Sequence, residues 1–300
     1  MADSMSRLNI QPEEFTYRFP HKVFGHVPGA HSGTSLGSGD RFAGFADLFD
    51  YADPRRLDVR ASVRNQLADP LASEQQRWLV RRYQQRSAIT LWLLADITQS
   101  MAVSAVDHAR LAKLAHMVAH SAIGFGDRFA MASFDSEWRQ DVSIMPTRQR
   151  SAPMLAADML MAANPSKVAG AEGLFHSADL VTSSHAMVFL ASDFCFDIEL
   201  LDRTLRKLSH YTVVPVVWQH DDVDHIPSHA GWTEIRDSET GTRQSVWMRP
   251  SIQKRWRQMM ADHFEQLTDC FMRHRVRPLF VNGDITAQQL TQYFYTMKKS

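Results

Sequence analysis

Residues 93–101 read LLADITQSM: an apolar run closes on Asp96, and Thr98 and Ser100 follow at intervals of two. In a tight loop, alternate side chains at that spacing can face one centre. One carboxylate and two hydroxyls are hard oxygen donors. They suit Mg²⁺, which prefers octahedral oxygen coordination at roughly 2.1 Å and usually keeps several waters. A second carboxylate is expected from a neighbouring strand end, and Asp193 stands there, directly after the apolar run of residues 186–192. The plainer reading of the same string is capping, because Asp and Ser are ordinary helix N-caps and D-x-T-x-S is short.

Ligands of open α/β sheets bind beyond the carboxyl ends of the strands, so the elements around Asp96 decide whether such a site can exist. Short apolar runs predict strands near 89–95, 128–134, 186–192, 212–218 and 277–281. Helical spacing predicts helices near 107–124, 152–163, 198–208, 252–273 and 286–298. In HARLAKLAHMVAHSAI, for example, Leu111, Leu114, Ala115 and Val118 share one face. Alternation of this kind signals βαβ units and a mostly parallel sheet flanked by helices. Two segments depart from it. Residues 138–144 follow the second strand too closely for a crossover helix, so they should form an antiparallel edge strand. Residues 232–247 hold two strand-like arms around ETG and predict an inserted hairpin near 231–248. Residues 20–45 are rich in Gly, Ser, His and Pro and predict an irregular segment of loops and short strands. The division expected is an irregular, β-rich segment at 1–86 and an α/β domain at 87–300.

The composition narrows the function classes. A chain of 300 residues with 44% hydrophobic residues can bury a sizeable core. Basic and acidic residues both number 33, so no net field favours nucleic acid or an anionic membrane. Two cysteines, Cys195 and Cys270, form neither a disulfide framework nor a zinc pattern. The N-terminal stretch lacks the apolar core of a signal peptide, and no run reaches the 18 or so apolar residues that span a bilayer. A cytoplasmic protein with no nucleic-acid partner and no direct membrane insertion is expected.

Other residues carry weaker signals. His116 and His120 have the i, i+4 spacing of metal ligands, but no third ligand is evident. HDDVDH at 220–225 could bind a cation or form a solvated loop. Cys195 lacks a nucleophile elbow and a His partner, so a buried thiol is expected. The glycine-rich stretch at 29–40 lacks G-K-[ST] and is no Walker loop. Arg60 and Arg64 could serve a partner face; pairing with Asp47, Asp50, Asp53 or Asp58 is the favoured expectation.

An Asp-x-[Thr/Ser]-x-Ser string after the first strand and an Asp after the fourth resemble the metal-ion-dependent adhesion site of von Willebrand factor A domains. The chain also resembles the bacterial family of unknown function that carries such a domain and is encoded beside MoxR-type AAA+ ATPases. The residues behind this are Gly25-His26, His31-Ser32, Gly37-Ser38-Gly39, Phe42, Tyr51, Asp53, Arg55 and LDVRASVR at 57–64. GDRFAMASF at 126–134, SDF at 192–194 and DSETG at 237–241 continue the match. The family usually has Trp near Val59, often has N-terminal membrane helices, and places a Thr before the third helix. Glu172 stands at about that Thr position, offering an oxygen of a different kind.

The resemblance implies a von Willebrand factor A-like fold and a non-enzymatic interaction module. Mg²⁺ or a similar cation would be held by Asp96, Thr98, Ser100, Asp193 and Glu172. The implied partner is a MoxR-type ATPase or its client, and the implied role is assembly, maturation or metal insertion of another complex, as in the branch that accompanies methanol dehydrogenase. Two alternatives stay open. A Mg²⁺-dependent phosphohydrolase would use Asp96, although its general acid two residues on is here Thr98. A scaffold would keep the site only as a vestige.

Overall fold

The computed structural model describes residues 13–19, 28–37, 41–50, 53–68, 78–101, 105–166, 168, 170–183, 185–219, 231–236 and 243–297. The chain divides into two compact units, Pro20–Ala88 and Met1–Phe19 together with Ile89–Ser300.

In the first unit, β1 (Pro28–Gly37), β2 (Arg41–Asp47) and β3 (Leu79–Ser87) form an antiparallel sheet in the order β1-β3-β2. The expected β-rich character is present, but residues 28–37 and 41–47 form longer strands than the short ones expected. The physical reason is β3, which pairs on both sides and supplies backbone partners that local glycine-rich composition cannot reveal. Gly44, at φ 148°, absorbs a register shift against β3.

Helix α1 (Val59–Ala68) starts where the Asp58 carboxylate accepts the Ala61 N–H at 2.9 Å. The other Asp58 oxygen meets the Arg81 guanidinium at 2.7 Å, and Asp53 pairs with Arg56 at 3.1 Å. The expected pairing of Arg60 and Arg64 is therefore not formed among the described residues. A capping carboxylate faces the helix start and the adjacent strand, whereas positions 60 and 64 are exposed.

The cap bond and the Arg81 guanidinium hold the Asp58 carboxyl below its ordinary range. A depressed folded-state value adds stability above about pH 4, and that contribution is lost as pH falls through the folded value. Asp58→Asn, which keeps a capping oxygen but no charge, is expected to make amide exchange in α1 less sensitive to acid. Identical acid sensitivity in both proteins would contradict this.

The second unit is built on a six-stranded sheet with the order β11-β8-β7-β4-β5-β6. Its elements begin with β4 (Thr90–Asp96), α2 (Ala105–Gly124), β5 (Arg128–Phe134), β6 (Trp138–Thr147), α3 (Ala152–Ala162) and α4 (Gly173–Ser177). They continue with β7 (Ala186–Ser192), α5 (Ile198–Lys207), β8 (Thr212–Gln219), β9 (Gly231–Arg236), β10 (Arg243–Met248), α6 (Pro250–Arg273), β11 (Leu279–Asn282) and α7 (Ala287–Thr296). Neighbouring strands of the sheet run parallel except β5 and β6, which are antiparallel. This is the mixed α/β sheet flanked by helices that the sequence predicts, with the edge strand at β6. Every residue of β4 and β7 is buried, as continuous apolar strands covered on both faces should be. Strands β9 and β10 form the expected antiparallel pair, and the ETG turn lies outside the described residues. Among the described residues no helix is long and apolar enough to cross a membrane.

Residues 13–19 form a strap over the amino-terminal edge of this sheet. Phe15 is buried, stacks on Phe294 at 6.1 Å and meets Phe189 edge-on at 6.0 Å. Its N–H donates to Ser121 Oγ, and the Tyr17 hydroxyl donates to Asp127 at 2.5 Å. Phe15→Ala should cost about 3–5 kcal/mol, the usual range for an emptied aromatic core position. Denaturant unfolding measures it; a loss below about 1 kcal/mol would mean the strap is not part of the core.

Candidate functional site

Strand order reverses beside β4. The chain leaves β4 for β5 and β6 on one side and returns through β7, β8 and β11 on the other. Loops diverge at such a switch point and leave a crevice beyond the strand ends. Asp96 ends β4 at this place. Ala95 pairs with Ala191, which sets Asp96 level with Ser192 at the end of β7.

The Asp96 carboxylate is fully buried and gripped from two directions. Ser192 Oγ donates to Oδ2 at 2.5 Å, and the Thr98 N–H donates to Oδ1 at 2.8 Å. The Thr98 and Ser100 hydroxyls lie 2.9 Å apart. Burial, and then the charge of Asp193, push the Asp96 carboxyl up to about 7, while the bonds from Ser192 and Thr98 oppose the rise.

Asp193 is also buried and accepts the Cys195 N–H at 3.0 Å. The turn depends on Phe194, whose φ of 55° is left-handed and costs roughly 1–2 kcal/mol for a residue with a side chain. Its ring is fully buried, edge-on to Phe271 at 5.4 Å, and that burial offsets the strain. Cys195, expected as a buried thiol, is exposed. The left-handed turn sends Phe194 inward and leaves the next side chain outside.

A pocket adjoins this centre, lined by Thr98, Gln99, Ser100, Asp135, Ser166 and Gly170, with Cys195 and Phe196 also in its wall. The structure thus brings Asp96, Thr98, Ser100 and Asp193 to one strand-end neighbourhood. Glu172 is exposed and lies beside Gly170 rather than in the lining: a Cβ on Gly170 would meet its carboxylate at 2.3 Å.

Asp135 is the residue that reading the sequence missed. It accepts from Arg139 Nη1 at 2.8 Å and from the Ser166 N–H at 3.0 Å, and Gln99 Nε2 donates to the Ser166 carbonyl at 2.9 Å. These bonds tie the pocket's two loops together. The clue was present, because Asp135 follows the apolar strand RFAMASF just as Asp96 and Asp193 follow theirs.

Of the other candidates, His116 and His120 stack with ring centroids 5.9 Å apart, and no third ligand-type residue joins them among the described residues. The HDDVDH segment at 220–225 lies outside the described residues.

Gly173 fixes where α4 meets this loop. Its N–H donates to the Asp135 carbonyl at 3.1 Å, and a Cβ there would stand 2.1 Å from the Glu137 carbonyl oxygen. Gly173→Ala must push backbone apart and should cost about 1–3 kcal/mol, the usual scale of overpacking. An unchanged melting temperature would contradict that.

The family model described as protein of unknown function DUF58 matches residues 71–266. No curated protein matches the chain. Among solved structures, the chain is similar to the conserved hypothetical protein BatB from Bacteroides thetaiotaomicron, at 13% identity and a TM-score of 0.42, covering 71% of this chain and 100% of that one. It is similar to an aerotolerance-related membrane protein from Bacteroides fragilis at 10% identity and a TM-score of 0.41, over 71% of this chain and 100% of that one. A third is proximal thread matrix protein 1 from the mussel byssus, with a zinc-occupied MIDAS motif, at 11% identity and a TM-score of 0.37, over 70% of this chain and 46% of that one.

Proposed function

The chain belongs to the DUF58 family of proteins of unknown function, and we propose that it is a non-enzymatic interaction module. In this reading it holds its partner through a Mg²⁺-type cation at Asp96, Thr98, Ser100 and Asp193. The observation that carries the reading is a fully buried carboxylate raised to about 7 beside a second carboxylate, with two hydroxyls opening onto the adjoining pocket. The donor set fits a hard cation: it is all oxygen, and a divalent charge would relieve the repulsion between Asp96 and Asp193.

Bound there, the cation would supply exchangeable coordination positions that an Asp or Glu of a partner can take. The chain's own residues do the rest. Ser192 and the Thr98 N–H keep Asp96 oriented, and Asp135 and Gln99 hold the pocket's loops; Glu172, exposed beside Gly170, would have to turn toward the pocket to join the set. The partner proposed is a MoxR-type AAA+ ATPase or its client, and the role is assembly, maturation or metal insertion of another complex. The sequence resemblance supports that part. A phosphohydrolase is less well supported, since Thr98 occupies the place where such an enzyme needs an acid.

Mn²⁺, whose spin resonance vanishes on binding, reports the site directly. Wild-type protein is expected to take up one Mn²⁺, displaced by Mg²⁺, and Asp96→Ala to take up none. Capture of a MoxR-type ATPase should fall with chelator and with Asp96→Ala alike. Capture unchanged by either treatment would refute bridging, and Mg²⁺-dependent aryl-phosphate turnover lost in Asp96→Ala would replace the module with a hydrolase.

A further inference from the structure

The C-terminal turn of α6 packs on α5 through a cluster unrelated to the strand ends. Cys270 is buried on α6, His274 caps the same helix one turn later, and Asp202 reaches them from α5. A carboxylate oxygen, the Cys270 sulfur and a His274 ring nitrogen all lie within 4.8 Å of one another. His274 Nε2 is 2.8 Å from Asp202 Oδ1.

From this geometry we infer a second cation site, formed by Asp202, Cys270 and His274 and suited to a borderline-soft divalent ion of the zinc class. One nitrogen, one oxygen and one sulfur form a set that zinc accepts at roughly 2.0–2.3 Å in a tetrahedron, with water as the fourth ligand. Tetrahedral donors at those lengths stand about 3.3–3.5 Å apart. The Asp202–His274 pair therefore opens by about half an ångström, and Cys270 binds as thiolate with its proton released to solvent. The cysteine and histidine share one helix face at i, i+4, so one rigid element presets two of the three donors.

Two arginines already neighbour Asp202. Arg206 takes Oδ2, on the other side of the carboxylate from His274. Arg273 approaches Oδ1 at 3.7 Å and is the group that must yield. Its side chain is 62% exposed and forms part of an open cleft with Ile198, Gln266, Asp269 and Met272. It can swing into that cleft, and the path it vacates admits the ion and its water.

The chain's two cysteines make the test decisive. Co²⁺, a zinc surrogate, gives a sulfur-to-metal charge-transfer band only when a thiolate binds it. The full chain titrated with Co²⁺ should show that band, and Zn²⁺ should bleach it. Cys195→Ser should keep it, Cys270→Ala should lose it, and His274→Gln should weaken Co²⁺ binding at least about tenfold. Arg273→Gln should tighten binding, because a competing cation is removed. Circular dichroism of each variant separates lost binding from lost folding. No band in folded wild-type protein, or a band lost in Cys195→Ser and kept in Cys270→Ala, overturns the inference.

Discussion

A carboxylate with no exposed surface at the end of a central strand constrains everything packed around it. Burial favours the neutral form of Asp96, and the nearby charge of Asp193 adds to that. The Ser192 hydroxyl and the Thr98 N–H oppose both effects. Their positions follow from register. A one-residue slip of β7 would set Ala191 or Asp193 level with Asp96, removing the hydroxyl donor or bringing the two carboxylates face to face. The pairing of the two most buried strands and the electrostatics at their ends are one requirement.

The surrounding loops follow from it. Each of three consecutive strands in the sheet, β7, β4 and β5, is followed by or ends on an aspartate, yet the three do different work. The charge of Asp193 acts on Asp96. Asp135 instead meets Arg139, whose second arm grips Asp141 at 2.7 Å, so its charge is met within the protein. That difference marks Asp135 as an organiser of the pocket, holding the segment that carries Ser166 while Gly173 lets α4 approach. The position rather than the residue type sets the role.

How much of this was legible depended on distance along the chain. Asp96, Thr98, Ser100 and Asp193 could be placed because continuous apolar runs betray doubly covered strands, and the residue after such a run is at the sheet's carboxyl edge. The antiparallel β6 was equally legible, since three residues cannot make a crossover. By contrast, β3 is a polar sequence, LVRRYQQRS, and is a strand only because β1 and β2 flank it. The strap of residues 13–19 owes its place to Phe189 and Phe294, far away in sequence. Cys195 was misplaced because one backbone angle at Phe194 reverses which side chain is buried, and no residue-type pattern reports that angle. Arg60 and Arg64 failed for a similar reason: proximity in sequence suggested acidic partners, but Asp58 is taken by the cap of α1 and Arg81, and Asp53 by Arg56.

The sheet's two ends answer the same problem, a buried carboxylate, in opposite ways. At the amino-terminal end the buried Asp127 accepts from the Tyr17 hydroxyl and from the Ile89 N–H at 3.0 Å, and the Tyr17 ring packs edge-on against Phe125. Burial, and then the Asp127 charge, push the Tyr17 phenol far up, so it stays a donor and the pair stays closed. At the carboxyl edge the partners are short hydroxyls, and Thr98, Gln99 and Ser100 remain half-exposed around a pocket. A bulky aromatic donor covers one carboxylate; at the other end small oxygen donors line a pocket beside it. The size of the donor thus distinguishes the two ends: the Tyr17 phenol packs as a ring against Phe125, whereas the hydroxyls at the β4–β7 end leave room for a pocket beside the carboxylate.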